Sequence, residues 1–346
     1  MPGYAPTPVV ELPELADRSR VGRIVVKNEQ ERLGLPSFKI LGSSWAMHER
    51  VKRIAGTAAD ALIPFPELRA RIQDLGHPTL CTASDGNHGR AVAALAEALA
   101  CGCVVFLPAD SATSRIQAIE SHGAVVELVD GSYDEAVAQA RASAGARQHW
   151  YCPDTVGMDA TAEERAFATD VMAGYATLFE EFFLQLGRAP DVLFVQAGVG
   201  GLSAAGVSSL RAISSTARVI VIEPEGSNAL ALSLASGVPA VVPDAPTIMA
   251  CLRCQSVSAV AWPVLRAGVD GVMVVTDDEA AAAVRELARA GVVAGASGAA
   301  GLAGALAGCA GQERSRLGIG SGSNIALVNT EGATDPASYE AILASG

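Results

Sequence analysis

The sequence predicts an α/β protein built on twisted, mostly parallel sheets covered by helices. Two observations carry this. Short, continuous apolar runs bounded by turn residues alternate with helical patterns along the chain, and strands buried on both faces and joined through helices produce that alternation. Half of the residues are hydrophobic but only 5% are aromatic, so the core is expected to be Ala, Val and Gly in closely packed helices and strands.

In order, the strand candidates are 23–28, 79–83, 102–107, 124–128, 149–152, 191–196, 219–223, 271–276 and 324–330, short runs rich in apolar and strand-forming residues. Helical patterns fill 43–54, 88–100, 113–122, 133–144, 163–186, 201–213, 277–290 and 298–307. A length of 346 residues suggests two or three domains. The irregular stretch 55–77 and the Asp-, Gly- and Pro-rich stretch 152–161 read as crossings between them. The middle block has its own βαβαβ alternation. Residues 44–152 are therefore read as a small domain inserted into a large one made of 1–43 and 153–346.

Several function classes are disfavoured. The net charge is −12, and no basic run is longer than Arg50–Arg53, so nucleic acid is not an expected partner. The start, Met1 to Pro8, has no charged segment leading into an apolar run, unlike a signal peptide. The stretch 292–310 is Ala-rich and broken by Gly and Ser, which suits a packed core helix better than a membrane span. The seven cysteines are odd in number and lack metal-ligand spacing. Reduced thiols in a cytoplasmic protein without a metal site are expected. Cys251 and Cys254 form a CxxC, but no second pair answers it.

Sheets of this kind place ligands beyond the carboxyl ends of their strands. Four segments there carry chemistry. Lysine is rare, with only Lys27, Lys39 and Lys52. Lys52 sits in a basic cluster expected to be exposed, and Lys27 ends a strand. Lys39 lies in Ser37-Phe-Lys-Ile-Leu41, an apolar setting at the start of a helix. Desolvation there disfavours an ammonium, and a neutral amine is what Schiff-base chemistry uses. The window fits a lysine snorkelling to the surface equally well. The second segment, Gly198-Val199-Gly200-Gly201-Leu202, follows a strand and opens a helix. Successive N–H groups at a helix N-terminus make an anion site suited to phosphate. Its spacing is not that of a dinucleotide loop, and it has no Walker lysine.

The third segment runs from Thr82 through Ser84, Asp85, Gly86, Asn87 and His88. It offers donors for a substrate carboxylate, an amide at Asn87 for a ring hydroxyl, and a carboxylate at Asp85 that is either an acid–base group or a helix N-cap. His88 is read as packed or capping before catalytic. The fourth, Leu327 to Pro336, crowds polar residues, Thr330 among them, at the end of the last apolar strand.

Together these motifs resemble the fold-type II pyridoxal-phosphate family, with the tryptophan-synthase-β-like fold. It includes threonine dehydratases, serine racemases and diaminopropionate ammonia-lyases. The likeness is strongest to the last of these. It rests on Pro2–Pro8, Gly34–Lys39, Asp85–Arg90, Val195–Gly200, Thr247–Ala250 and Thr330–Pro336. The resemblance implies two domains with pyridoxal 5′-phosphate between them and a homodimer. It makes Lys39 the cofactor-linked lysine, Gly198, Val199, Gly200, Gly201 and Leu202 the phosphate cradle, Asn87 the partner of the ring oxygen and Thr330 that of the ring nitrogen. Ser84, Asp85 and Asp154 are implied to meet a small amino-acid substrate.

Asp85 stands where dehydratases and serine racemases carry Ser, which implies Lys39 as base toward an L-substrate and Asp85 toward a D-substrate. The implied reaction is α,β-elimination on 2,3-diaminopropionate, giving pyruvate and ammonia. Two segments depart from that branch. Asp154 to Asp159 lacks its Trp and Glu, and Ala296 stands where it has Glu. A dehydratase or β-replacement enzyme acting on another small β-substituted amino acid, and a non-catalytic ligand sensor on the same fold, stay open as alternatives.

Overall fold

The computed structural model describes residues 1–84 and 86–345; Asp85 and Gly346 lie outside the described residues. In chain order the elements are β1 (Val9–Glu11), α1 (Pro13–Arg18), β2 (Arg23–Asn28), α2 (Lys39–Ala55), α3 (Phe65–Asp74), β3 (Thr79–Ala83), α4 (Asn87–Leu99), β4 (Gly102–Pro108), α5 (Thr113–Glu120), β5 (Val125–Val129), α6 (Tyr133–Arg147), β6 (Trp150–Tyr151) and α7 (Ala162–Leu186). They continue as β7 (Val192–Gln196), α8 (Gly201–Ile213), β8 (Arg218–Pro224), α9 (Ala229–Ser236), α10 (Trp262–Gly268), β9 (Gly271–Val275), α11 (Asp277–Arg289), α12 (Ala296–Gly308), α13 (Gly311–Arg316), β10 (Asn324–Asn329) and α14 (Pro336–Ala344).

The chain divides into two compact units, Met1–Ala5 with Lys39–Tyr175, and Pro6–Phe38 with Ala176–Gly346. The first holds a parallel four-stranded sheet of order β5-β4-β3-β6. Its core sets Ala83, Val104 and Phe106 against the alanines of α6, Ala136, Ala140 and Ala144. The second holds a six-stranded sheet of order β1-β2-β10-β7-β8-β9, parallel except for β1. Ile24, Phe194, Ile222 and Leu327 from this sheet pack with Ala299 and Ala303 of α12 and with Val284 and Leu287 of α11. The α/β class with mostly parallel sheets is as the sequence predicts.

Three differences have physical causes. The stretch read as irregular contains α3, whose prolines fall at the helix start, where a missing N–H is harmless. β1 spans three residues on a sheet edge and is too short to show a period. Lys52 is buried rather than exposed, because its ammonium turns back to the Ala59 carbonyl and to Glu49. Among the described residues no helix is long and apolar enough to cross a membrane.

Candidate active site

The expected site residues fall into two groups, one in each unit. In the first unit, Lys39 is the first residue of α2, and Asn87 is the first of α4. The turn before α4 is shaped by Ser84, whose Oγ accepts from the N–H groups of Gly86 and Gly89, both at 2.8 Å. Ser84 and Asn87 are buried, at 1% and 8% exposure. His88 is buried too; its Nε2 donates to the Cys152 carbonyl at 2.9 Å, and its Nδ1 stands 3.9 Å from Asp154 Oδ2. Asp85, expected beside them, lies outside the described residues.

Lys39 Nζ donates to Asp154 Oδ2 at 2.7 Å. The lysine side chain is 18% exposed and the aspartate 7%. The desolvated amine expected at position 39 thus has a buried counter-ion. Burial by itself would raise the Asp154 pKa. The charges of His88 and Lys39, with hydrogen bonds from Lys39 and Tyr133, outweigh it and hold the carboxyl at about 2. The Tyr133 hydroxyl is 3.3 Å from Asp154 Oδ1, and the Tyr175 ring centre lies 5.9 Å from Lys39 Nζ.

Neither tyrosine was legible as a site residue. Tyr133 had a signal, since it opens the helix after β5, where strand ends gather ligands. It follows the Ser132 capping box of α6. Tyr175 lies inside the long helix α7 with no motif around it. In the altered segment after Asp154, Val156 is buried, Met158 is exposed, and Asp159 pairs with Arg141 at 2.6 Å.

In the second unit, the glycine loop follows β7 and Gly200 is the N-cap of α8, with φ +92°. A Cβ on Gly200 would sit 2.6 Å from Leu265 Cδ1, and one on Gly198 would sit 3.0 Å from both the Cys251 carbonyl and Cys254 Sγ. The positive φ at Gly200 favours glycine, and a side chain at Gly198 would crowd its neighbours. Among the described residues no acceptor is bonded to the backbone N–H groups of Val199, Gly200 or Gly201. Bare donors at the start of a 13-residue helix fit a phosphate. Thr330 stands just beyond β10, is 6% exposed, and has its Oγ1 3.1 Å from Gln196 Nε2. Next to it, Glu331 accepts from Cys251 Sγ at 3.4 Å and pairs with Ser37 across an antiparallel bridge.

Each group by itself offers part of what a phosphorylated aldehyde needs: a lysine at a helix start in the first unit, and a bare amide cradle and a neutral hydroxyl at a strand end in the second. The comparisons with known proteins agree. The Pyridoxal-phosphate dependent enzyme family matches residues 1–331, and the chain belongs to that family. It is an enzyme of this class, with pyridoxal phosphate as its cofactor.

Within the class the chain is 33% identical to diaminopropionate ammonia-lyase of Salmonella typhimurium, over 100% of this chain and 90% of that protein. The selenomethionine holo form of diaminopropionate ammonia lyase from Escherichia coli superposes with a TM-score of 0.91 at 30% identity, covering 100% of this chain and 89% of that one. The same enzyme in complex with an aminoacrylate-PLP azomethine reaction intermediate gives 0.88 at 28% identity, again over 100% and 89%.

Proposed function

We propose that this chain is a diaminopropionate ammonia-lyase, converting 2,3-diaminopropionate and water to pyruvate and two molecules of ammonia. Whole-length likeness to that enzyme supports the reading. The observation that carries it within the chain is Asp154, a buried carboxylate that already holds one ammonium at 2.7 Å.

Pyridoxal phosphate, when bound, supplies an electron sink that acidifies the Cα–H and eases loss of a β-substituent. The residues do the rest. Lys39 would hold the cofactor aldehyde, and its amine, released when the substrate amine takes its place, would serve as base toward the L-enantiomer. Gly198, Val199, Gly200, Gly201 and Leu202 hold the phosphate on backbone N–H groups. Asn87 bonds the ring oxygen, and Thr330 meets the ring nitrogen with a neutral hydroxyl, which does not protonate it as a carboxylic acid would. Ser84 and its turn receive the substrate carboxylate. Asp85 takes the Cα proton of the D-enantiomer.

With Lys39 as a neutral amine rather than an ammonium, Asp154 would be open to the substrate's distal ammonium, the group that leaves. The domain division at 1–43 with 153–346 and 44–152, a homodimeric assembly and a cytoplasmic location belong to the same proposal.

The test supplies purified protein with pyridoxal phosphate and D- or L-2,3-diaminopropionate and follows pyruvate and ammonia. Both enantiomers are expected to react. Asp85→Asn should cost the D-reaction roughly 10²–10⁴-fold, the scale of a removed acid–base group, and the L-reaction much less. No pyruvate from either enantiomer by cofactor-loaded protein, or incorporation of an added thiol in place of elimination, would overturn the reading.

A further inference from the structure

We infer that Gln196 is a positioning residue that fixes the hydroxyl of Thr330 as a hydrogen-bond donor toward the cofactor ring. The inference rests on the cofactor placement proposed above. Gln196 ends β7 and is 2% exposed. β7 and β10 are paired neighbours, with Phe194 opposite Leu327, so Gln196 and Thr330 both lie at the carboxyl ends of adjacent strands.

The Gln196 Nε2 atom lies 2.9 Å from the Ser297 carbonyl, 3.0 Å from that of Gly298, 3.2 Å from that of Val328 and 3.1 Å from Thr330 Oγ1. Three of these four partners are carbonyl oxygens, which only accept. Exchanging the amide oxygen and nitrogen would set Oε1 against all three, so the NH₂ group must face them. Its two hydrogens are shared among the four acceptors, as three-centre bonds allow.

The approach of α12 makes room for the amide. A Cβ on Gly301 would stand 3.0 Å from Gln196 Oε1 and 3.5 Å from the Val328 carbonyl. A residue larger than glycine there would press on the amide plane.

The consequence falls on Thr330. Its oxygen receives a hydrogen from an amide that cannot turn over, so its own hydrogen is directed elsewhere. A hydroxyl polarised by an accepted bond is also a better donor. A donor fixed in this sense keeps the ring nitrogen in the role of acceptor, without a proton of its own. Without the amide the hydroxyl can turn its hydrogen away from the ring.

The experiment uses holoenzyme loaded with pyridoxal phosphate carrying ¹⁵N in the ring, comparing wild type, Gln196→Met and Gln196→Asn by nitrogen NMR. The wild-type signal should be that of an unprotonated, hydrogen-bonded ring nitrogen, and Gln196→Met should move it toward that of a pyridine without a donor. Steady-state kcat should fall roughly tenfold, the size of one lost neutral hydrogen bond, with KM nearly unchanged. In a Thr330→Ala background, Gln196→Met should add nothing further.

A ring-nitrogen signal that does not move in Gln196→Met, or losses that multiply in the double variant, would overturn the inference. If Gln196→Met does not fold, Gln196→Asn carries the same test: its amide is drawn back by one methylene, and an unmoved signal overturns the inference equally. Wild-type protein that takes up no cofactor would instead sink the functional reading, and the inference with it.

Discussion

Lys27 and Lys39 are both held by buried carboxylates, yet they leave their amines in opposite conditions. In the second unit, Lys27 is fully buried, and its three hydrogens go to the Thr7 carbonyl at 2.8 Å, Glu181 Oε2 at 2.7 Å and Gln185 Oε1 at 2.8 Å. Arg32 beside it bridges Glu29 and Glu181, so two cations and two carboxylates close on one another. In the first unit, Lys39 has an 18% exposed side chain and pairs with Asp154. Burial alone does not make a lysine reactive. What matters is whether a reagent can reach the amine, and the Lys27 side chain is 0% exposed against 18% for Lys39. The first arrangement holds structure together, and the second leaves an amine that can be converted.

Exchanging the roles of the two lysines would break this comparison, and three measurements test it. The largest effect is expected from Lys39→Ala, which should lower turnover by roughly 10³-fold or more, the scale seen when a covalent catalytic group is removed. The absorbance of the cofactor-linked protein should vanish with it, while the unfolding transition in urea stays cooperative. A visible band that survives Lys39→Ala would mean that another amine carries the cofactor. Next comes Lys27→Met, which leaves Glu181 buried with one cation fewer. Breaking a buried ion network costs about 3–5 kcal/mol, readable as a lower urea midpoint. The turnover of the fraction still folded should be unchanged, and a lost cofactor band in this variant would collapse the distinction.

The smallest effect concerns the counter-ion of Lys39. Asp154 has a folded-state pKa of about 2, below the ordinary value of 3.8. A depressed carboxylate stabilises the fold above its unfolded pKa, and that stability is lost as pH falls from about 4 through about 2. The total is about 2 kcal/mol. Acid unfolding of wild type and Asp154→Asn should therefore converge toward pH 2. Curves that stay parallel over that window would show that the pair contributes nothing to the fold.

Much of the fold was legible because its strands are continuous apolar runs between glycines and charged helices. The central strands β3, β7 and β8 stand within a residue of their expected bounds. Their packing against both neighbours agrees with their local propensity, so pattern and tertiary structure say the same thing. The elements that were missed include four helices of six to eight residues, α1, α9, α10 and α13, along with β1, which is three residues on an edge, and α3, which is introduced by prolines that locally read as loop. Among the site residues, the glycine loop announced itself by composition, and Lys39 by the scarcity of lysine. Tyr175 and Gln196 carried no local signal, and Tyr133 only its place at the start of a helix after a strand, since a lone tyrosine or glutamine looks alike whether it faces solvent or an ion pair.

By itself, then, the sequence determined the α/β class, the order of the chemistry-bearing turns and membership of a pyridoxal-phosphate family, because these depend on short-range pattern and on residue types that few folds place in that order. Only the tertiary structure decided that Lys39 has a buried carboxylate partner, that Lys52 is buried, and that the Gln196 amide stands against Thr330. Those facts join residues 115, 7 and 134 positions apart. Hydrogen-bond valence is settled by what folding brings within 3 Å or so, and no periodicity along the chain encodes that distance.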